Sequence, residues 1–590
     1  VRGDKNCAMK IIQRFVAFVV AGALLAFAGG SCKKSPVGEG PTGPDDEDTA
    51  TIKPQTDPPL AATIGFFMDD WQPRSFTIPA SVTDGVVPAS PAITVTIDRS
   101  DVITKIPRSL AGDNANTWMT QMVTEPSLMD HITTLHPHII RFPGGSISDV
   151  FFWNALPNQP PADAPAQLRQ ADGSYAGAGY WFGKNPDSWT LSVDNYYLMR
   201  QQTGNEGMII INYGYARYGT GPDPVAAAAH LAADWVRYDN GRTKYWEIGN
   251  ENYGEWEAGY CINTATNQDG QPEFASGQLY GQHFNIFADS MRKAAQEINK
   301  TIYIGAVLYE TPPQNWATPA IKEWNTGVLH AAGSSPDFYV VHNYYTEYHT
   351  NANAATILNT PIPVTQNMMN HVQQSITNAG LPQKPIALTE WNIFSTGSMQ
   401  QVSHINGLHA VMVIGEGLKN KFGMTARWDL SNGWDGGNDH GLFSKGDEPG
   451  AVPKWTPRPA FYHMYFFKKM LGDRLVTSGS TSPDMVSYAS SFSSGETAVA
   501  LVNKGASARA VEIKIQNFRK GKRYYWYTLT GGGDNGEFSR KVIVNGQGPP
   551  IVAGGPANYK TIAPFAADTG NGIRVMVPGR AAVYLVVDKN

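Results

Sequence analysis

Two glutamates each close a short apolar run: Glu251 ends KYWEIGNE (244–251) and Glu390 ends IALTE (386–390). Two carboxyl groups facing each other across a cleft can break a glycosidic bond. One protonates the leaving oxygen while the other attacks the anomeric carbon. Asn250, beside the first, is suited to bond a sugar 2-hydroxyl, a contact that strengthens in the transition state. The tripeptide Gly-Asn-Glu also occurs earlier, at 204–206, ahead of GMIII. Glu206 leads into its run, whereas Glu251 leaves one. If both runs are parallel strands of one barrel, only Glu251 lies at the carboxyl-end face, where barrel enzymes carry out chemistry.

Supporting candidates sit at other run ends. Arg141, in HIIRFPGG (138–145), can hold a carboxylate ionised by charge and hydrogen bonding; the alternative is a salt bridge to a structural acid. His342 and Tyr344, in FYVVHNYY (338–345), can each orient Glu390, and the sequence leaves open which does. Trp428, in MTARWDL (424–430), is a sugar platform or a core residue. Asn114 and Asn116 after the first run, and Tyr213 ending MIIINYG (208–214), complete the substrate-binding set. The long segment after Arg141 carries Trp153, Tyr180, Trp181 and Trp189 and is read as an aromatic wall of the cleft. The Gly-rich segment 431–441 offers Trp434, Asp435, Asp439 and His440. No second ligand cluster of regular spacing accompanies them, so no metal is expected. No GxGxxG or phosphate-loop pattern occurs, and no cofactor is expected.

These residues need a frame that brings many run ends to one mouth. Eight apolar runs, at 105–112, 138–145, 208–214, 244–251, 302–307, 338–345, 386–392 and 424–430, alternate with segments of helical period such as 224–239, 280–298, 407–418 and 459–471. Runs buried on both faces and separated by helices indicate parallel strands. Eight of them close a (β/α)8 TIM barrel, placed at 101–470; a doubly wound sheet is the alternative. After 471 the period changes to two, predicting a C-terminal antiparallel β-sandwich over 471–590, which β-like pieces in 61–100, among them ATIGFF, are expected to join.

The 590 residues carry a net charge of −5 with no basic stripe, so a nucleic-acid partner is not expected. Fifteen tryptophans and 26 tyrosines suit stacking on sugars. Lys10 and Arg14 precede an apolar run at 15–28, followed by GGSCKKS. This is read as a signal peptide starting at Met9, with Cys32 lipidated. Residues 33–60, rich in Pro, Gly, Thr and acids, are read as a disordered tether. The expected setting is an exported lipoprotein, in the periplasm or on the surface of a Gram-negative bacterium, contacting the membrane through its anchor alone. Of Cys7, Cys32 and Cys261, only the last belongs to the folded body, so no disulfide framework forms.

YWEIGNE, LTEWN and RFPGG together resemble clan A glycoside hydrolases, most closely the α-L-arabinofuranosidases of family 51. The resemblance spans roughly residues 60–590. It implies a barrel with a C-terminal β-sandwich and a retaining mechanism on plant hemicellulose or pectin side chains, with Glu251 as acid/base and Glu390 as nucleophile. Two positions depart from the family pattern. Ser146 follows Gly-Gly where the family has Asn, and RSLAGDNANTW (108–118) lacks the sugar-binding Glu. An endo-β-glycanase or β-glycuronidase of the clan therefore stays open, as does a carbohydrate-binding lipoprotein without catalysis.

Overall fold

The computed structural model describes residues 52–590. The segment read as an export signal, Cys32 and residues 33–51 of the expected tether lie outside the described residues. No described helix is long and apolar enough to cross a membrane.

Eight parallel strands close a barrel in chain order: Gly112–Asn114, Ile139–Phe142, Glu206–Ile211, Tyr245–Ile248, Tyr303–Val307, Phe338–Tyr344, Ile386–Asn392 and Met424–Arg427. The eighth pairs back to the first, Ala426 opposite Gly112. Runs such as MIII and IAL are apolar throughout because helices cover their outer side and their inner side fills the barrel. Four of the longer helices begin at side-chain caps. Asp223, Ser276, Thr318 and Ser403 each accept a hydrogen bond from a backbone N–H in the first helical turn.

The first strand departs from expectation. Residues 105–112 span the end of a longer strand, Pro107 and a 3-10 turn over Arg108–Ala111; the barrel strand is Gly112–Asn114. A three-residue Gly-Asp-Asn strand carries no apolar run, so periodicity passes over it.

The second unit of structure is an eleven-stranded, mostly antiparallel sheet. Its strands include Arg474–Ser480, Met485–Ser491, Thr497–Asn503, Arg509–Gln516, Lys520–Gly531, Ile573–Val577 and Ala581–Lys589. The sheet curls so that Val95, Leu501, Val511, Trp526, Val575 and Leu585 share one core. Its other face packs on the barrel's last helices: Tyr488 donates to Glu416 at 3.0 Å, and the Tyr584 hydroxyl meets His463 at 2.9 Å. Ile93–Lys105 enters this sheet between Arg474–Ser480 and Arg509–Gln516, antiparallel to one and parallel to the other.

ATIGFF is not a strand. Gly65–Met68 forms a 3-10 turn beneath the barrel, stacking Phe66 on Tyr303 at 3.8 Å and setting Phe67 edge-on to Phe338. Residues 52–60 have no regular structure but are held: Gln55 donates to Ser491 at 2.8 Å and Asp57 pairs with Arg474 at 2.6 Å.

Candidate active site

Glu251 and Glu390 meet at the carboxyl-end mouth of the barrel. One carboxylate oxygen of each, and one ring nitrogen of His342, lie within 4.8 Å of one another. Glu206 begins its strand at the opposite face, where Asn205 is tied to the Pro137 carbonyl.

Arg141, on the second strand, is fully buried beneath Glu390. It reaches Glu390 Oε1 at 2.7 Å, Glu247 Oε2 at 2.7 Å and Oε1 at 3.1 Å, and Asn114 Oδ1 and Asn250 Oδ1 at 2.9 Å each. The planar five-donor guanidinium suits this many-sided contact in a way an ammonium does not. Burial penalises the Arg141 charge, and Glu247 and Glu390 more than offset it. Burial likewise pushes the Glu247 carboxyl up, yet Arg141 and His342 leave it below the ordinary carboxylate range.

His342 and Tyr344 lie on one face of the sixth strand, as alternate residues must. Val341 pairs with Leu388 and His342 with Glu390, so Thr389 is an extra residue in the seventh strand. Such a bulge re-aims side chains. The Thr389 hydroxyl meets His342 Nε2 at 2.9 Å, and His342 Nδ1 meets Glu251 Oε1 at 2.7 Å. Tyr344 donates to Glu390 Oε2 at 3.0 Å. Tyr344 is thus the residue bonded to Glu390, while His342 bonds Glu251.

Burial opposes protonation of His342, but Glu390, Glu247 and Glu251 outweigh it and push its pKa up to about 10. Glu251, His342 and Glu390 have the spacing of a metal-ligand trio. Arg141 pairs with Glu390 Oε1 at the edge of this trio. For Glu390, burial raises the pKa, His342 and Arg141 pull it down, and Glu251 raises it again; the net direction is upward.

Glu251 leaves its strand in the left-handed region (φ 43°), after Gly249 at φ 73°. A Cβ on Gly249 would come 2.0 Å from Asn252 Oδ1, so this turn requires glycine. The second oxygen of Glu251 accepts from the Trp256 indole N–H at 3.1 Å.

The remaining candidates divide. Trp428 borders the mouth: a Cβ on Gly145 would lie 3.2 Å from its ring and 3.0 Å from Glu390 Oε1. Asn250 donates to Glu257 at 2.9 Å while accepting from Arg141. Asn114 is fully buried, donating to the carbonyls of Thr389 (2.9 Å) and Arg427 (3.1 Å), so it braces Arg141 beneath the cleft rather than lining it. Asn116 is buried against Asp429. Tyr213 does not enter the mouth. Its hydroxyl meets His283 at 3.1 Å and its ring packs on Tyr280, both on the helix after the fourth strand. Trp153 and Tyr180 also leave the expected wall: Trp153 stacks on Trp235 and Tyr180 packs on Phe152. Asp439 is ion-paired with Arg458 at 2.6 Å.

Sequence reasoning missed four polar residues. Glu247 lies inside the fourth strand, four residues before Glu251, and an acid within an apolar run was its available signal. Glu257 accepts from Ser146 (2.8 Å) and Asn250. Burial, with Asp149 and Glu251 adding, holds its carboxyl well above the usual range. Asp149 accepts from the backbone of Tyr213, Gly214 and Asn250 and from the Asn252 side chain, joining two strand ends; burial pushes it up to about 7. Glu310, bonded by Asn343, is also pushed up to about 7 by burial, with Glu251 adding to the rise.

The fold is a (β/α)8 barrel carrying a C-terminal, mostly antiparallel β domain. No protein-family model and no curated protein matches the chain. Among solved structures it is similar to an α-L-arabinofuranosidase from Thermotoga maritima, with 17% identity, 84% of this chain and 100% of that one covered, and a TM-score of 0.56. It is also similar to CelM2, a bifunctional glucanase-xylanase from a metagenome library (13% identity, 85% and 100% covered, TM-score 0.54). A third is a family 44 xyloglucanase from Paenibacillus polymyxa (12% identity, 84% and 99% covered, TM-score 0.53).

Proposed function

We propose that the protein is a retaining glycoside hydrolase acting on plant-type polysaccharide or its oligomers. The observation that carries this is the approach of Glu251 and Glu390 within 4.8 Å, each with its own set of donors. A close pair leaves no room for a water between carboxylate and sugar, which inversion requires; retention needs a separation of about 5–5.5 Å. Glu390, flanked by Arg141, His342 and Tyr344, attacks the anomeric carbon as Glu251 passes to the leaving oxygen the proton it shares with His342 Nδ1. A glycosyl ester forms on Glu390. Glu251 then takes a proton from water, the hydroxide attacks the same carbon, and the ester bond breaks.

For the sugar, family resemblance favours an α-L-arabinofuranoside. A specific observation favours the second reading, an endo-β-glycanase: Asp113, Asn114 and Asn116, which stand where the family presents its sugar-binding Glu, are all fully buried. Export and lipid anchoring at Cys32 form a further part of the proposal, checked by acyl labelling of the parent against Cys32→Ala. The reaction is tested by hydrolysing a panel of nitrophenyl glycosides (α-L-arabinofuranoside, β-xyloside, β-glucoside, β-glucuronide) and following the first-formed anomer by NMR. Retention is expected, and an inverted first product would overturn the assignment.

A further inference from the structure

Among the described residues three tryptophans are more than half exposed: Trp189, Trp256 and Trp316. Single exposed apolar side chains are ordinary. Their confinement is not: each lies on a loop leaving the carboxyl end of a barrel strand, the second, fourth and fifth respectively. No exposed tryptophan of the described chain lies on the helices, the sheet or the lower face.

Two of these indoles connect to the carboxylates from different sides, Trp189 through rings in contact and Trp256 by a direct hydrogen bond. Trp428, beside Gly145 and Glu390, is 6.4 Å from Trp118, which is 6.4 Å from Trp181, which is 5.7 Å from Trp189 at the surface. On the other side Trp256 bonds Glu251 and lies 6.2 Å from Tyr253, itself 5.0 Å from Tyr309. Tyr309 opens the loop that carries Trp316, 76% exposed. One aromatic arm therefore starts at the nucleophile and the other at the proton donor.

We infer that the cleft binds an extended chain of β-linked xylose or glucose units on both sides of the scissile bond and cuts within the chain. This rests on the glycoside hydrolase reading above. The acid protonates the leaving oxygen, so the sugars that depart lie on the Glu251 side, against Trp256 and Trp316. The sugars that stay bonded to Glu390 until water releases them lie along the Trp189 arm. An enzyme removing single terminal sugars has use for only one arm. Xylose and glucose in the β form carry flat faces of axial C–H groups that fit an indole, whereas a puckered furanose does not.

The test uses xylo- and cello-oligosaccharides of two to six units, labelled at the reducing end, with the parent, Trp189→Ala, Trp316→Ala and Trp316→Phe. In the parent, kcat/KM rises at least about tenfold with length, and the hexamer first yields internal fragments. Each alanine variant lowers that gain roughly two- to tenfold, the scale of an aromatic contact, and Trp316→Phe recovers part of it. Stepwise release of monosaccharide at a length-independent rate overturns the inference, as does a gain intact in both alanine variants. Cleavage of the nitrophenyl arabinofuranoside but of no oligosaccharide overturns it too, leaving the glycosidase reading standing. Failure of the parent to cleave any of these substrates overturns both.

Discussion

The phenol of Tyr344 donates to Glu390 at 3.0 Å, while His342, two residues earlier on the same strand, turns to Glu251 at 2.7 Å. One strand thus assigns each carboxylate a different partner. A neutral phenol orients Glu390, and an imidazolium sits between Glu251, Glu247 and Glu390. The division follows from the bulge at Thr389, which sets His342 opposite Glu390.

The roles proposed for the two carboxylates are separable with azide. In Glu390→Ala, azide enters the space of the nucleophile and yields an inverted glycosyl azide. In Glu251→Ala it attacks the glycosyl ester and yields a retained one. Without azide, each variant loses most activity toward unactivated substrates. NMR of the azide products checks the assignment, and the same anomer from both variants would contradict it.

Replacing His342 with Asn removes a cation from beside Glu390, which then holds its proton more tightly. The acidic limb of the kcat/KM profile shifts to higher pH. A limb that stays in place while activity falls would assign His342 a purely steric role.

Stability carries the sign of the same titration. His342 is raised in the folded state, from 6.5 to about 10, so its contribution is full below 6.5 and is lost as pH rises through 10. Glu257, also raised, penalises folding as pH climbs above its ordinary value near 4.5. Urea midpoints of the parent therefore fall toward pH 10. Glu257→Gln, which imitates the protonated acid, flattens part of that slope and keeps the bond to Ser146. An unchanged slope in both His342→Asn and Glu257→Gln would refute this account.

Arg141→Met leaves Glu247 and Glu390 buried without the guanidinium that pairs with both. Removing one partner of a buried pair costs about 3–5 kcal/mol, so the midpoint of urea unfolding falls by a corresponding amount and activity is lost. Arg141→Lys keeps the charge but not the five-donor geometry, and falls between the two.

Much of this was readable in advance because strand ends are punctuated. Glu251, Glu390 and Arg141 each follow an apolar run long enough to show, and position relative to the run separated Glu251 from Glu206. The rest was hidden for physical reasons. The first strand is Gly-Asp-Asn and buries polar groups rather than apolar ones. Tyr213 ends its run, but its side chain turns outward to His283, a direction that a strand's last residue does not declare. Glu257 works through Asn250, six residues after Glu251 in a loop, where no periodicity applies. The helical turn at Gly65–Met68 resembles a strand in its apolar content and differs only in what it lies beneath.

The strand Ile93–Lys105 has two neighbours in the sheet, Arg474–Ser480 and Arg509–Gln516, both from beyond the barrel. Topologically the barrel is therefore an insertion into the sheet domain. During synthesis this thirteen-residue strand leaves the ribosome among the first of the described elements and finds its partners only after every barrel strand has been made. Until then its unpaired edges and alternating apolar face stand open to other chains. The barrel must close while the strand that will fasten it to the sheet is still waiting, so expression yield should depend on what shields residues 93–105 in that interval.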